Sequence, residues 1–138
     1  MAYSRKIDTG FLMNPPVILV IDDDHSVHEI VEASLLAAGI HCIFAFSAEE
    51  GIEKAVQHQP QLILMDLLMP DGMKGWEGIA VLKSNPVTQN ITVLAFTAST
   101  GHYIKQALQA GAAGFISKPF SIGQFQRTIK EHLVTPQP

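Results

Sequence analysis

Basic residues are scarce in this chain. Lysine and arginine together number 9 in 138 residues, and the formal net charge is -4. Nucleic-acid-binding domains carry a basic cluster, so direct binding of nucleic acid is disfavoured. No apolar run approaches the roughly 18 residues that span a bilayer. The N-terminal stretch MAYSRKIDTGFLMNPP lacks the apolar core of a secretion signal. The absences together predict neither a nucleic-acid partner nor a membrane partner.

Cysteine is nearly absent as well. The single cysteine, Cys42, stands in the apolar run HCIFAF, so an internal disulfide is excluded. A lone cysteine of this kind fits a reducing compartment, and we expect a cytoplasmic protein. We interpret Cys42 as a small buried apolar side chain and not as a reactive thiol.

Apolar residues, in contrast, are plentiful. The chain is 47% hydrophobic and 16% charged, which allows one domain with a substantial core. Pro15 and Pro16 cannot continue a regular element, so residues 1–16 read as an N-terminal extension. The domain is expected over residues 17–133, with a linker-like tail over 134–138.

Short apolar runs recur along the domain without alternation, which is typical of strands buried on both faces of a parallel sheet. These runs are Val17–Ile21, Cys42–Phe46, Leu62–Met65, Ile91–Phe96 and Gly114–Ile116. Helical patterns follow each run, and three of them open on a serine with Glu or Gln three residues later, at Ser26, Ser47 and Ser121. The other two helices are predicted over Trp76–Lys83 and His102–Ala110. The alternation predicts an α/β fold, a parallel sheet with helices on both sides.

Polar residues stand where the predicted strands end. In such sheets chemistry gathers outside the carboxyl ends of the strands. Asp22-Asp23-Asp24 follow the first strand, Asp66 the third, Thr97 the fourth and Lys118 the fifth. Two carboxylates about 4 Å apart repel by on the order of 4 kcal/mol at an effective dielectric near 20, so a cation or a proton must offset them. An all-oxygen cluster favours Mg²⁺.

Asp66 is the candidate nucleophile of this cluster. A carboxylate can attack phosphorus and form an aspartyl phosphate. Lys118 would neutralise charge on the transferred oxygens, and the hydroxyl of Thr97 would donate a hydrogen bond to one of them.

The chain resembles the receiver domain of response regulators, the phosphoacceptor partner of sensor histidine kinases. The motifs that carry the resemblance are ILVIDDD, LILMDLLMP, FTA and AGAAGFISKPF, at residues 18–24, 62–70, 96–98 and 110–120. The resemblance covers residues 17–133. It implies a doubly wound, flavodoxin-like sheet of five strands in the order 2-1-3-4-5, with five helices.

The resemblance also implies a role for each site residue. Asp66 matches the phosphoacceptor. The implied Mg²⁺ ligands are Asp22, Asp23, Asp66 and the backbone carbonyl of Leu68. Thr97 and Phe115 match the switch pair, Lys118 matches the lysine that pairs with the phosphoryl group, and Lys118-Pro119 matches a cis peptide bond.

By the same resemblance, the implied partners are a sensor histidine kinase or a histidine phosphotransfer protein. A downstream protein would bind the face built from the fourth helix, fifth strand and fifth helix. Such a domain catalyses its own phosphorylation and slow dephosphorylation and is not a turnover enzyme. Two departures border the site: the loop after Asp66 is one residue longer than the family pattern, with a turn expected at Asp71-Gly72, and the stretch from Thr97 to Gly111 is one residue shorter.

Other interpretations remain. Asp22-x-Asp24-x-Ser26 resembles the loop of haloacid-dehalogenase-type phosphatases, with Asp22 as nucleophile and Asp24 as acid, although Glu131 is the only acid after Lys118. A nucleotide-binding module is disfavoured because an acidic loop would repel a pyrophosphate. A pseudo-receiver would share the fold without phosphorylation. The triplet His28–Ile30 weakly resembles a phosphohistidine box. A stand-alone protein is favoured over a piece of a hybrid kinase.

Overall fold

Strands and helices alternate along the whole of the described chain. The computed structural model describes residues 15–98 and 101–133. The elements are β1 Val17–Ile21, α1 His25–Leu36, β2 His41–Ala45, α2 Ala48–His58, β3 Leu62–Met65, α3 Gly75–Ser84, β4 Thr92–Thr97, α4 His102–Ala110, β5 Gly114–Ser117 and α5 Ile122–Leu133. The expected tail, and the expected extension up to residue 14, lie outside the described residues.

All strand pairings in the sheet are parallel. The strand order is β2-β1-β3-β4-β5, which confirms the predicted order 2-1-3-4-5. The central strand β1 pairs on both sides, with Ile18 opposite Cys42 on β2 and Leu62 on β3. Since the chain reverses its direction of winding at β1, the loops after β1 and β3 open on the same crevice.

The sheet is covered on both faces, because side chains along a strand point alternately to opposite sides. One core packs Leu19 and Ile63 against α2, α3 and α4, through residues such as Ala55 and Ile79. The other core packs Ile18 and its neighbours against α1 and α5. This two-sided burial explains why the strands read as continuous apolar runs.

Helix α1 begins earlier than its sequence pattern predicts. Ser26 was expected to cap it, but the helix starts at His25 and the cap is Asp24, whose side chain accepts from the Ser26 N–H at 2.9 Å. A carboxylate at that position satisfies the first free N–H groups, and Ser26 falls inside the first turn. The other two serine caps are confirmed: Ser47 accepts from Glu50 and Ser121 from Gln124.

Two strands are shifted by one residue from their predicted bounds. Strand β2 starts at His41, which pairs with Val17, and stops before Phe46. Strand β4 ends on Thr97, which pairs with Ser117, so Thr97 is the last residue of the strand and not the first after it. Within residues 15–98 and 101–133, no helix is long and apolar enough to cross a bilayer.

Candidate functional site

The acidic residues meet because their strands are neighbours. Asp22 directly follows β1 and Asp66 directly follows β3, and the last residues of these strands, Ile21 and Met65, are opposite each other. The Asp66 N–H donates to the Ile21 carbonyl at 2.9 Å, which continues the pairing past the end of the sheet. Carboxylate oxygens of Asp22, Asp23 and Asp66 lie within 4.8 Å of one another. The predicted acidic cluster is therefore present.

Burial differs sharply among the three acids. Asp22 is fully buried, Asp66 is 7% exposed, and Asp23 is exposed to solvent. One oxygen of Asp22 accepts from the Asp24 N–H at 2.9 Å. The side chain of Asp24 caps α1 instead, by accepting from the Ser26 N–H. Two acids of the cluster, Asp22 and Asp66, are therefore buried, and the third, Asp23, is exposed to solvent.

Lys118 reaches this cluster from the far edge of the sheet. It follows β5 and its ammonium group forms an ion pair with the Asp22 carboxylate. The same Nζ lies 3.7 Å from Oδ2 of Asp66 and 4.9 Å from the centre of the Phe96 ring. The Lys118-Pro119 bond is cis, as the resemblance implied. One cation therefore contacts both buried acids.

One lysine does not fully offset this burial. Removal from water is the main cause that raises the pKa of Asp66 to about 6 from 3.8, and the charge of Asp22 adds to it. Lys118 and a weak hydrogen bond from the Leu68 N–H, at 3.4 Å, act in the opposite direction. Ionised Asp66 is therefore electrostatically strained, and additional positive charge would relieve it.

Thr97 and Phe115 lie on the neighbouring strands β4 and β5. Thr97 is 1% exposed, and its carbonyl accepts from the Lys118 N–H at 3.0 Å. Phe115 is opposite Ala95 and is 48% exposed, so its ring lies at the surface. A cavity of about 270 Å³ adjoins Phe115 and is also lined by Pro119 and Phe120.

The long loop after Asp66 is held by hydrogen bonds at several points. Gly72 has φ +74°, which supports the expected turn at Asp71-Gly72. The Met73 N–H donates to Glu49 on α2 at 3.0 Å, and Lys74 Nζ donates to the Met69 carbonyl at 2.9 Å. Sequence reasoning missed the Glu49 contact, because nothing local links residues 24 positions apart.

His28 is the second residue whose place was not anticipated. It is 5% exposed on α1, and its Nε2 lies 2.6 Å from the Asp22 carbonyl oxygen. A phosphohistidine needs an accessible ring, so the phosphohistidine-box interpretation of residues 28–30 is unsupported. The sequence offered one signal, a histidine one turn after an acidic loop.

The donor set fits a hard divalent cation. Among the described residues, the cluster of Asp22, Asp23 and Asp66 is the only group of three or more His, Cys, Asp or Glu side chains close enough to hold a metal ion. All its donors are oxygen, which matches Mg²⁺ better than a soft or nitrogen-preferring metal.

Similar proteins are numerous. The response regulator receiver domain family matches residues 18–130. The chain is 35% identical over 109 residues to hybrid signal transduction histidine kinase D of Dictyostelium discoideum, covering 78% of this chain and 7% of that protein. It is 34% identical over 114 residues to PhoB, the phosphate regulon transcriptional regulatory protein of Pseudomonas aeruginosa, covering 82% of this chain and 49% of PhoB.

A shorter relative matches over nearly its whole length. The polar-differentiation response regulator DivK of Brucella anthropi is 30% identical over 120 residues, which cover 86% of this chain and 97% of DivK. A crystal structure of a putative response regulator from Chloroflexus aurantiacus superposes with a TM-score of 0.81 at 28% identity, covering 87% of this chain and 98% of that one. This chain thus spans about half of PhoB, much less of the hybrid kinase, and nearly all of DivK.

Fold, acidic pocket and facing lysine together define a receiver-type α/β domain. The chain belongs to the response regulator receiver family, and its function is that of a receiver domain in two-component signal transduction.

Proposed function

We propose that Asp66 is the residue of this receiver that accepts the phosphoryl group. The observation that carries the proposal is the placement of its carboxylate beside Lys118, with 3.7 Å between Oδ2 and Nζ, at the edge of an acidic pocket. A phosphoryl group on Asp66 would bring its oxygens within reach of that ammonium. Burial beside two further acids makes the ionised form of Asp66 costly, and a purely structural role would not require that cost.

The transfer is a displacement at phosphorus. An Asp66 oxygen forms a P–O bond while the P–N bond of a phosphohistidine breaks, and the imidazole leaves with the electron pair. With acetyl phosphate as donor, the bond that breaks is P–O and acetate leaves. Lys118 balances negative charge on the phosphoryl oxygens, and Thr97 donates its hydroxyl hydrogen to one of them.

The proposed ligands of Mg²⁺ are Asp22, Asp23, Asp66 and the carbonyl of Leu68. The ion, when bound, supplies positive charge to the transferred oxygens. Asp22 is buried and held by Lys118 and by the Asp24 N–H, so it is prearranged for this role. Asp23 is exposed and closes the site on the solvent side.

Phosphorylation would then act on the Thr97 and Phe115 pair. Thr97 moves toward the phosphoryl group, and Phe115, now half exposed beside a cavity, turns into the space that is left. The face formed by α4, β5 and α5 would change and bind a downstream protein. The charge added at Asp66 would thereby shift the equilibrium between two conformations of this face.

A sensor histidine kinase or a histidine phosphotransfer protein is the proposed donor, in the cytoplasm. The receiver unit is proposed over residues 17–133, between an extension and a tail. The domain would turn over only its own phosphoryl group. The phosphatase alternative has less support, because Asp24, its general acid, is engaged with the N–H and the hydroxyl of Ser26.

The test is incubation with acetyl phosphate and Mg²⁺, followed by intact-mass measurement. The unaltered chain should gain one phosphoryl group, and Asp66→Asn should gain none. Asp71→Asn, an exposed acid of the same loop, is the matched control and should be labelled like the unaltered chain.

Three results would count against the proposal. Labelling of Asp66→Asn at the same rate would place the phosphoryl group elsewhere. Steady turnover of a phosphomonoester that depends on Asp22 and Asp24 would support the phosphatase instead. A folded chain that binds Mg²⁺ but is never labelled would be a pseudo-receiver.

A further inference from the structure

His28 contacts the acidic site through the backbone and not through a carboxylate. Its Nε2 lies 2.6 Å from the carbonyl oxygen of Asp22. A carbonyl oxygen only accepts, so Nε2 carries the hydrogen of this bond. That carbonyl belongs to the peptide group joining Asp22 to Asp23, and a peptide group is planar. The bond therefore constrains the plane that connects the two acids.

The other side of Asp22 is held independently. Its N–H donates to the Ala45 carbonyl on β2 at 3.0 Å. Asp22 is thus fastened to β2 through its own peptide nitrogen and to α1 through the following carbonyl. Without the second contact, the peptide between Asp22 and Asp23 could rotate while β1 stayed in place, and the two carboxylates would lose their relative orientation.

The His28 ring itself has little freedom. It is 5% exposed, it meets the Phe44 ring edge to face with 4.6 Å between centres, and it lies 4.7 Å from the Phe46 ring. Its second nitrogen, Nδ1, is buried and has no hydrogen-bond partner within the described part of the chain. A buried unpaired nitrogen costs free energy that a phenyl ring would avoid. Packing alone does not account for a histidine here, whereas the bond to Asp22 does.

We propose that His28 is a positioning residue for Asp22 and Asp23, two of the proposed Mg²⁺ ligands. It acts through the peptide group that joins these two acids. The inference rests on the proposed function, because it assumes that these two acids bind Mg²⁺. Groups one step removed from metal ligands commonly change metal affinity when they are altered. His28 would do so without touching the ion.

The test compares Mg²⁺ affinity in variants that keep or lose the donor. Trp76 is the only tryptophan and lies in the first turn of α3, just after the loop from Asp66, so its fluorescence can follow the titration. His28→Phe keeps a ring and removes the donor, and its dissociation constant should rise by about 10-fold or more. His28→Gln carries an amide donor at a similar reach and should recover most of the affinity.

The matched control is His132→Phe. His132 also has a ring nitrogen 2.9 Å from a backbone carbonyl, that of Thr128, but it lies on α5. Its substitution should leave the dissociation constant unchanged. Urea unfolding of each variant would show that the titrations are done on folded protein.

A second measurement covers the case in which His28→Phe does not fold. In the unaltered chain, the Nε2 hydrogen of His28 should be visible by NMR, slow to exchange, and shifted when Mg²⁺ saturates the site. Absence of that hydrogen, or no shift at saturation, overturns the inference. So does a His28→Phe protein that binds Mg²⁺ as tightly as the unaltered chain. If the unaltered chain binds no Mg²⁺ at all, the proposed function fails as well.

Discussion

Asp66 combines two properties that oppose each other in the metal-free protein. Its carboxylate is almost buried and lies beside Asp22, which favours the protonated form and raises the pKa to about 6. A phosphoacceptor has to be ionised to attack phosphorus. The ionised form of Asp66 is therefore the reactive one, but the metal-free protein disfavours it. Positive charge in the pocket would stabilise the ionised form.

Replacing Asp66 by Asn should stabilise the metal-free protein at neutral pH. The pKa of Asp66 is about 6 in the folded protein and 3.8 in the unfolded chain. Asp66 therefore does not lower the free energy of unfolding below about pH 4, where it is protonated in both states, and it lowers that free energy as the pH rises through 6. At pH 7 to 8, Asp66→Asn should raise the free energy of unfolding by up to about 3 kcal/mol, and at pH 4 the gain should vanish. Urea unfolding at the two pH values measures this. An equal gain at both would show that the burial of charge is not its cause.

Replacing Lys118 by Met should have the opposite effect. It leaves Asp22 fully buried without its cation, and breaking a buried pair costs about 3–5 kcal/mol. Saturating Mg²⁺ should restore part of the loss, because the ion brings positive charge to the same carboxylates. Lys105→Met, at an exposed position on α4, is the control and should change stability little. Comparable destabilisation in both variants would argue against the ion pair as the cause.

At the scale of single elements, the start of α3 packs closely against neighbouring backbone. The Gly75 N–H donates to the Leu67 carbonyl at 3.1 Å, which brings the helix against the backbone that follows β3. A Cβ on Gly75 would overlap the Asp66 carbonyl and lie 2.6 Å from the Leu67 Cα. Backbone atoms cannot step aside as a flexible side chain does. The end of the loop after Asp66 therefore lies next to the backbone of Asp66 and Leu67.

Gly75→Ala should therefore destabilise the protein by about 2 kcal/mol or more, the cost of overpacking plus backbone displacement. It should also weaken Mg²⁺ binding, since the atoms displaced belong to Asp66 and Leu67. Gly123→Ala is the matched control: its Cβ meets nothing within 4 Å in α5, and a helical Gly→Ala gains about 0.5–1 kcal/mol. Thermal unfolding of both variants tests the contrast. A tolerated Gly75→Ala would contradict the close approach.

At the scale of the whole molecule, the sheet determines which residues can cooperate. Lys118 and Asp22 are 96 positions apart in sequence, yet β1, β3, β4 and β5 bring them into contact at one edge. The two cores on either side of the sheet hold this edge in place. The electrostatic cost at the site therefore lowers the free energy of unfolding of the whole domain. Relief of that cost by a bound cation should therefore appear as global stability.

Mg²⁺ should raise the free energy of unfolding by about 2.7 kcal/mol at 100 times its dissociation constant, because it binds the folded state alone. Asp23→Asn should lose most of this gain while its metal-free stability stays close to that of the unaltered chain, since Asp23 is exposed. Asp71→Asn should keep the full gain. Urea unfolding across a Mg²⁺ series provides the measurement, and a gain that survives Asp23→Asn would exclude that residue as a ligand.

Sequence patterns predicted the fold and the acidic cluster well, for reasons visible in particular residues. Asp22 and Asp66 were found because each ends a buried apolar run, and parallel strands share one carboxyl edge. Patterns failed where neighbouring residues competed. Asp24 displaced Ser26 as the cap of α1, because a carboxylate two residues earlier satisfies the same helix end. Phe115 was seen as an aromatic position, but its half-exposed state depends on how β5 and α5 pack.

The order of apolar runs and helical patterns was enough to determine the parallel sheet and the edge at which chemistry gathers, because periodicity and chain connectivity are local properties. Tertiary structure alone decided how charge and hydrogen bonds are shared there. It set Lys118 between Asp22 and Asp66, tied the long loop to Glu49, and turned His28 toward the peptide of Asp22. Such contacts join residues from different elements, and their distances follow only from how the elements pack.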